Sequence, residues 1–178
     1  MGIPMSVAFV LLTAGWVAPT AWRAVGGASE QQAASAADPT LEAAFPDGVD
    51  QVVRRRAEME WGPCPPGALV VEGCTMAVLE GDPRAEQIFT LRIRTARPFV
   101  LPPHTHPRNE RVTVIEGAVH VGFGDRVDKA ASGRYEAGDY YVNQAGAAHF
   151  VWSDEPVVLQ LTGIGPWAIE PLAAADAQ

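Results

Sequence analysis

The sequence is poor in basic residues. Of its 178 residues, 13 are Lys or Arg and 21 are Asp or Glu, which gives a formal net charge of -8. A surface of this sign repels phosphate backbones, and no stripe of Lys or Arg interleaved with aromatic residues runs along the chain. We therefore expect no nucleic-acid partner. An internal repeat is also missing, and the length suits one domain with a terminal extension.

Cysteine is equally scarce. The only two, Cys64 and Cys74, flank a turn at Pro65-Pro66-Gly67, and their spacing matches no zinc-site pattern. A disulfide, two free buried thiols and metal binding are the alternatives. The disulfide leads, but it depends on export to an oxidising compartment.

Charge is missing from the N-terminal segment. No charged residue occurs from Ile3 to Trp22, and the apolar run there resembles a secretory signal, although no Lys or Arg precedes Arg23. Residues 1–28 are predicted to be a signal peptide or, as an alternative, an uncleaved membrane anchor. We therefore expect a periplasmic or secreted protein. Residues 29–45 are predicted to be a linker and residues 173–178 a tail.

Gly and Pro are abundant, at 17 and 15 residues, and favour many turns between short strands. Apolar segments of strand length recur between Gly, Pro and Asp. They are Ala68–Val71, Thr75–Leu79, Gln87–Arg94, Arg111–Glu116, Ala118–Phe123, Tyr140–Asn143, His149–Trp152 and Val157–Thr162. This pattern favours an antiparallel barrel, whose closure removes exposed sheet edges. We predict an all-β domain over residues 46–172, with one short helix between Asp47 and Trp61.

Alternation along the strands predicts which side chains line the barrel. The predicted interior set is Val112, Val114, Val119, Val121 and Phe123. His120 alternates with the last three of these and is expected at the surface. Arg92 and Arg94 are predicted on a solvated face; alternatively, Arg92 projects into the cavity and pairs with a carboxylate substrate. Phe150 and Trp152 are expected to pack between sheets or against a second copy of the chain.

The histidines are few, but they are grouped. His104 and His106 share one face of a strand because side chains alternate, and Glu110 opens the next strand. A turn at Gly146 leads to His149, which an antiparallel hairpin can bring across to the others. Imidazole nitrogens with one carboxylate suit a single divalent transition metal, such as iron, manganese, zinc, nickel or copper. The alternative, a relic site held by hydrogen bonds, leaves a buried glutamate without a cation, which is costly.

These two elements resemble the motifs of the cupin family. The first, G-x5-H-x-H-x3-E-x6-G, matches at His104, His106, Glu110 and Gly117, with Pro98 in place of the opening Gly. The second, G-x5-P-x-G-x2-H-x3-N, matches at Gly138, Gly146 and His149, with Gln144 and Ser153 in place of Pro and Asn. The resemblance covers Thr75 to Thr162. It implies a cupin-type jelly-roll β-barrel with the metal on His104, His106, Glu110 and His149.

The sequence also looks like a group of small, exported, single-domain cupins. It shares their Pro102–Pro107 core, Arg92 with Arg94 on the preceding strand, and Gly165-Pro166-Trp167 near the end. The resemblance implies one metal and a small-molecule ligand, and also a homodimer, because cupins commonly pair through strands such as the one that carries Phe150 and Trp152. It leaves the reaction open, because a fold does not decide a function.

Two classes of function fit such a site. The first is an oxygen-using or hydrolytic enzyme in which the metal acts as a Lewis acid on a small molecule. Its acid–base candidates are Glu110, Gln87, Tyr141 and Gln160. The second is a non-catalytic module that binds or senses a small molecule, which the short chain and the apolar interior favour. A sugar-epimerase role is disfavoured because His120 is the only spare histidine.

Overall fold

The computed structural model describes residues 41–43, 45, 47–65 and 71–172. The strands within these ranges are short and follow one another closely. They are β1 (Gly62–Pro63), β2 (Thr75–Glu80), β3 (Ile88–Arg94), β4 (Phe99–Thr105), β5 (Glu110–Glu116), β6 (Ala118–Phe123), β7 (Gly133–Glu136), β8 (Tyr140–Asn143), β9 (His149–Ser153), β10 (Val158–Ile164) and β11 (Glu170–Pro171). The predicted leader and tail, and most of the linker, lie outside the described residues. None of the helices within the described ranges has the length and apolarity needed to span a membrane.

The strands form two antiparallel sheets. One has the order β1-β2-β3-β10-β5-β8 and the other β11-β4-β9-β6-β7. Their inner faces share one apolar core, in which Phe89, Leu91, Val114 and Val119 are at most 1% exposed. Full burial of a side chain of this kind contributes roughly 1.5–3 kcal/mol. The all-β jelly-roll predicted from the sequence is confirmed.

Seven of the eight predicted strands are present within a residue or two of their predicted ends. The eighth, Ala68–Val71, lies mostly outside the described residues. The prediction omitted β4, where Pro102 and Pro103 interrupt the strand pattern because proline has no N–H to donate. The register between β4 and β9 shifts at this point, between Leu101 and His104.

Alternation predicts most of the interior correctly. Val112, Val114, Val119 and Val121 are all at most 3% exposed. The prediction for Phe123 is wrong, because its side chain is 63% exposed. Phe123 pairs in register with His149, so its parity is right. It is, however, the last residue of β6, and it lies at the end of the barrel rather than inside it.

The outer faces carry the residues predicted there. Arg92 Nε donates to Gln160 Oε1 at 3.1 Å, and the Arg94 guanidinium lies 4.4 Å from the centroid of the Trp61 ring. His120 stacks on Trp152 across the other sheet, with ring centroids 3.8 Å apart. The alternative of Arg92 pointing into the cavity is therefore not adopted.

The short helix predicted between Asp47 and Trp61 is corrected to a single 3-10 turn at Arg56–Glu58. The backbone on either side is extended, and no side chain caps the turn. Instead of helical contacts, Arg56 pairs with Glu116 at 2.6 Å. A few valines beside three consecutive arginines do not provide the apolar stripe that stabilises a helix.

Cys64 and Cys74 form a disulfide. Cys74 is 7% exposed and packs in the core, and Cys64 N–H donates to its carbonyl at 3.2 Å. Closing a loop with a sequence separation of 10 stabilises the fold by about 3 kcal/mol. Among the three alternatives for this pair, the structure shows the disulfide.

Candidate metal centre

Three neighbouring strands bring the predicted ligands together. His104 in β4 pairs in register with His149, the first residue of β9. His106 follows the end of β4, and Glu110 opens β5. The exposed fractions are 2% for His104 and His106, 7% for Glu110 and 0% for His149. Ionisable side chains are rarely so buried unless they are paired or bind a metal.

The turn that precedes His149 is hydrogen-bonded to the backbone of His106. Gly146 N–H donates to the His106 carbonyl at 2.9 Å. Gly146 has a φ of 73°, a conformation that glycine adopts without steric cost. Ala147 N–H donates to the Gln144 carbonyl at 3.0 Å, so the turn closes although Gln144 replaces the proline of the motif.

Backbone carbonyls set the orientation of all three imidazoles. Each Nδ1 lies within hydrogen-bond distance of one carbonyl oxygen. The pairs are His104 with Pro102 at 2.7 Å, His106 with Ala168 at 2.7 Å and His149 with Ala147 at 2.9 Å. A carbonyl only accepts, so Nδ1 carries the proton and Nε2 keeps its lone pair. This arrangement is typical of metal-binding histidines, whose second nitrogen is fixed in the same way.

The free nitrogens converge. One ligand atom from each of His104, His106 and His149 lies within 4.8 Å of the other two. The ring centroids are 4.3 to 5.1 Å apart. The barrel therefore places three lone pairs around one point.

Glu110 lies directly beside this group. Its Oε2 is 3.2 Å from His106 Nε2. Within the described part of the chain, His106 Nε2 has no hydrogen-bond donor or acceptor. With one proton on Nδ1, His106 Nε2 and Glu110 Oε2 face each other favourably only when a cation lies between them, either a second proton on Nε2 in the metal-free protein or a bound metal ion.

The pKa values show how the cluster divides its charge. Burial lowers the pKa of His104 to about 4 and also lowers the pKa of His149, so both stay neutral at pH 7. Burial also opposes charge on His106, but the contact with Glu110 outweighs it and raises the pKa of His106. For Glu110, burial favours the protonated form, yet the contacts with His106 and Asn143 outweigh it and lower the pKa. The Glu110 carboxylate is thus ionised, and a neighbouring cation stabilises its buried charge.

Two residues at this centre were not predicted from the sequence. Trp167 Nε1 donates to Glu110 Oε1 at 3.1 Å, and its ring stacks on His106 at a centroid distance of 5.9 Å. Asn143 is 1% exposed and its Nδ2 donates to Glu110 Oε2 at 3.1 Å. Trp167 lies in the Gly165-Pro166-Trp167 segment noted above, which was a signal of family resemblance but not of this role. Asn143 carries no motif signal.

A cavity of about 40 Å³ adjoins His104, His106 and Glu110. Its wall is otherwise mainly aliphatic and aromatic. The remaining lining residues are Ile93, Thr95, Phe99, Leu101, Val112, Tyr141, Val151, Leu159, Leu161, Trp167 and Ile169. One water needs roughly 10–15 Å³ on this measure, so the space holds only a few small ligand atoms.

The acid–base candidates predicted from the sequence differ in whether they line this cavity. Tyr141 lines the cavity, and burial together with the charge of Glu110 raises its pKa. Gln160 lies on the outer face, bonded to Arg92. Gln87 precedes β3 and is not among the lining residues of the cavity. Of the three neutral candidates, only Tyr141 faces the site.

The donor set therefore fits a divalent transition metal. Three imidazoles, of which His106 would give up its Nε2 proton to a metal, and an ionised carboxylate are ligands that iron, manganese, nickel, copper and zinc accept. The buried His106 Nε2, which faces Glu110 Oε2 across 3.2 Å, is the specific feature that a bound cation would satisfy.

Comparison with known families finds a match over most of the chain. The family model for the ChrR Cupin-like domain matches residues 49–168. Germin-like protein 9-3 from Oryza sativa subsp. japonica is 44% identical over 50 residues, which cover 28% of this chain and 23% of that protein. Germin-like protein subfamily T member 2 from Arabidopsis thaliana is 44% identical over 55 residues, covering 30% and 25%. The chain thus spans about a quarter of the length of these curated relatives.

Solved structures with the same fold are much less similar in sequence. The polyketide cyclase RemF from Streptomyces resistomycificus has a TM-score of 0.57 and 12% identity, covering 70% of this chain and 87% of that one. A candidate acetylacetone dioxygenase from Methylibium petroleiphilum PM1 has a TM-score of 0.54 and 15% identity, covering 73% and 91%. At this identity the likeness shows the fold alone.

Proposed function

The chain belongs to the ChrR cupin-like family, and we propose that it is an enzyme using one divalent transition metal to act on a small molecule. His104, His106 and His149 would hold the metal, with Glu110 as the fourth ligand. The observation that carries this proposal is the convergence of three Nε2 lone pairs within 4.8 Å, each fixed by a backbone carbonyl on Nδ1. When bound, the metal supplies a Lewis acid for hydrolysis or, if it is iron, a centre for dioxygen chemistry.

The charge of the centre indicates the class of substrate. The imidazoles that would hold the metal contribute no charge, and the carboxylate contributes one negative charge. The ligands together therefore add roughly one negative charge to a divalent ion. A single positive charge remains in a cavity with mostly apolar walls, where electrostatic attraction is stronger than in water. We infer a small monoanion, or a molecule that becomes one on losing a proton.

The cavity residues would bind and orient that substrate. Leu101, Val151 and Leu159 line the wall and exclude water from the centre. Tyr141 keeps its proton because its pKa is raised, so its hydroxyl can donate a hydrogen bond to a substrate oxygen. Glu110 stays ionised, because its pKa is lowered, and acts as a ligand rather than as an acid.

The names of two structural neighbours make catalysis the first hypothesis to test, since one is a polyketide cyclase and the other a candidate acetylacetone dioxygenase. A non-catalytic binding or sensing module is the second candidate. The observation that favours it is the small cavity, in which Thr95 and Tyr141 are the main polar groups beyond the predicted ligands. Retention of metal and ligand without turnover would favour this second role.

The metal content of protein purified from its native compartment tests the proposal. We expect near-stoichiometric metal in the wild type and none in the double variant His104→Ala, His149→Ala. The matched control is His120→Ala, which removes a histidine that stacks on Trp152 and should retain the metal. Metal-free wild-type protein would contradict the proposal. If metal is present, oxygen uptake or hydrolysis that depends on an added small monoanion, or on a small molecule that becomes one on losing a proton, then separates an enzyme from a binding module.

We also propose that the protein is exported. The disulfide between Cys64 and Cys74 supports this, because such bonds persist in oxidising compartments. Cell fractionation with mass spectrometry of the mature N-terminus tests it. A cleaved N-terminus in the periplasm or medium is expected, an uncleaved membrane-bound form indicates the anchor, and a cytoplasmic protein with free thiols would contradict export.

A further inference from the structure

Asn143 is a buried amide placed against the centre by strand pairing. It is the last residue of β8 and pairs in register with Glu110 of β5, so the two side chains share a face. It is 1% exposed. Burying a polar amide costs free energy unless its hydrogen bonds are made.

The two ends of this amide differ sharply. Nδ2 lies 3.1 Å from Glu110 Oε2 and 3.1 Å from His149 Nε2, so both N–H donors are directed at proposed metal ligands. Oδ1 is buried, and within the described part of the chain no donor reaches it. An orphaned buried oxygen in a native site requires a functional or structural reason.

A bound cation would remove one of these bonds. His149 Nε2 has a single lone pair once Nδ1 carries the proton, and a metal and Asn143 N–H cannot share it. The arrangement around Nδ2 therefore belongs to the protein without metal at His149. Asn143 must either move away or present a different atom.

The distances between the ligand atoms favour the second possibility, in which Asn143 presents its amide oxygen. In an octahedral site with bonds of about 2.1 Å, adjacent ligand atoms lie about 3.0 Å apart. His106 Nε2 lies 3.2 Å from Glu110 Oε2, and Asn143 Nδ2 lies 3.1 Å from both Glu110 Oε2 and His149 Nε2. The amide nitrogen is thus at the distance expected of a neighbouring ligand, but an amide nitrogen is not a ligand. The amide oxygen is one.

We propose that Asn143 turns its amide when the metal binds and supplies Oδ1 as an additional oxygen ligand; this inference rests on the proposed metal function. Rotation about the terminal torsion exchanges two atoms of nearly equal size, and this torsion has two broad minima. Oδ1 loses no hydrogen bond by turning, because it has none within the described residues. Nδ2 gives up its bonds to Glu110 and His149, and a metal on His149 would remove the second of these in any case. The same side chain thus holds Glu110 and His149 in the metal-free protein and completes the coordination in the loaded one.

Cobalt(II) is the probe for the test, because its visible absorption strengthens when its coordination number falls. Affinity is measured by competition with a chelator, on wild type, Asn143→Leu and Asn143→Asp. Asn143→Leu keeps the volume without an oxygen, and should bind 10–100-fold more weakly with stronger visible absorption. Asn143→Asp loses the N–H donors but keeps an oxygen, and should bind cobalt at least as tightly as wild type.

The controls separate a ligand from a donor and from a charge. Asn143→Asp as weak as Asn143→Leu would assign Asn143 a donor role only and overturn the proposal. Asn109→Asp adds the same charge on the adjoining loop, where Asn109 Oδ1 accepts from Ala145 N–H at 2.8 Å. An equal gain in affinity there would attribute the effect to charge and also overturn it. If Asn143→Leu does not fold, the cobalt affinity of the near-isosteric Asn143→Asp is compared with that of wild type. Weaker binding by Asn143→Asp would then overturn the proposal.

Failure of the underlying metal function gives a different result. Wild-type protein that binds no more cobalt than the double variant His104→Ala, His149→Ala would overturn both proposals. Wild-type binding with an unchanged affinity and spectrum in Asn143→Leu would overturn only the role of Asn143.

Discussion

The indole of Trp167 offers a sharp test of how the protein stabilises the carboxylate at its centre. Trp167 Nε1 donates to Glu110 Oε1 at 3.1 Å, and the ring lies at 16° to the plane of His106. The substitution Trp167→Phe keeps an aromatic ring against His106 but removes the N–H. Glu110 Oε1 is then left without this donor in a site where only 7% of the residue is exposed.

The expected effect follows from the charge of the acceptor. A hydrogen bond to a charged group contributes about 1.5–3 kcal/mol, and about 1.4 kcal/mol corresponds to a tenfold change in an equilibrium constant. The loss disfavours the ionised form, so the pKa of Glu110 rises, and the carboxylate is held less firmly in the orientation in which it would bind the metal. We expect Trp167→Phe to bind zinc or cobalt roughly 10–100-fold more weakly at pH 7.

Chelator competition at pH 7 measures this effect. The matched control is Trp152→Phe, since Trp152 Nε1 donates to Ser132 Oγ at 3.0 Å on the outer face. It loses the same kind of donor and should keep wild-type affinity. Wild-type affinity in Trp167→Phe, or an equal loss in Trp152→Phe, would refute the reasoning.

Three further predictions concern stability. The folded-state pKa of His104, about 4, lies below its usual 6.5, so this residue should lower the unfolding free energy of metal-free protein by up to about 3 kcal/mol as the pH falls from 6.5 to 4. His106, whose pKa is raised, acts in the opposite direction. Urea titrations of wild type and His104→Gln across this range isolate the contribution of His104 as their difference, and an unchanged difference would contradict it. Replacing Cys64 and Cys74 by Ala should lower it by about 3 kcal/mol while metal content stays constant; loss of metal would contradict this. In Gly122→Ala a Cβ would overlap the Phe150 ring, so thermal unfolding should show a loss of about 1–3 kcal/mol or more, and wild-type stability would contradict the packing.

Residues whose geometry is set locally were predictable from the sequence. His104 lies in β4 and His106 directly follows the end of that strand, and the turn at Gly146 fixes where His149 begins β9. Alternation likewise located Val112 and Val114 in the core. Local periodicity and turn chemistry therefore sufficed for the fold and for the histidine cluster.

Residues whose role depends on tertiary contacts were not predictable in this way. Trp167 reaches Glu110 across 57 positions of the chain, and Asn143 reaches it across 33. Neither contact leaves a periodic signal. Phe123 shows a related limit, because alternation gives the face of a strand but not how far along the barrel the residue lies. The short helix failed because its few valines do not provide the apolar stripe through which tertiary packing stabilises a helix.

The backbone explains why the histidine cluster could be predicted from the sequence while the chemistry of the centre could not. The three Nδ1 partners are the carbonyls of Pro102, Ala147 and Ala168, which any residue type at these positions would provide. The fold alone can thus fix the tautomers and direct three lone pairs at one point. Glu110, by contrast, depends on specific side-chain donors, the indole of Trp167 and the amide of Asn143. Because these donors adjust the charge and the coordination of the site, they are the positions where members of one fold family can differ in metal and reaction.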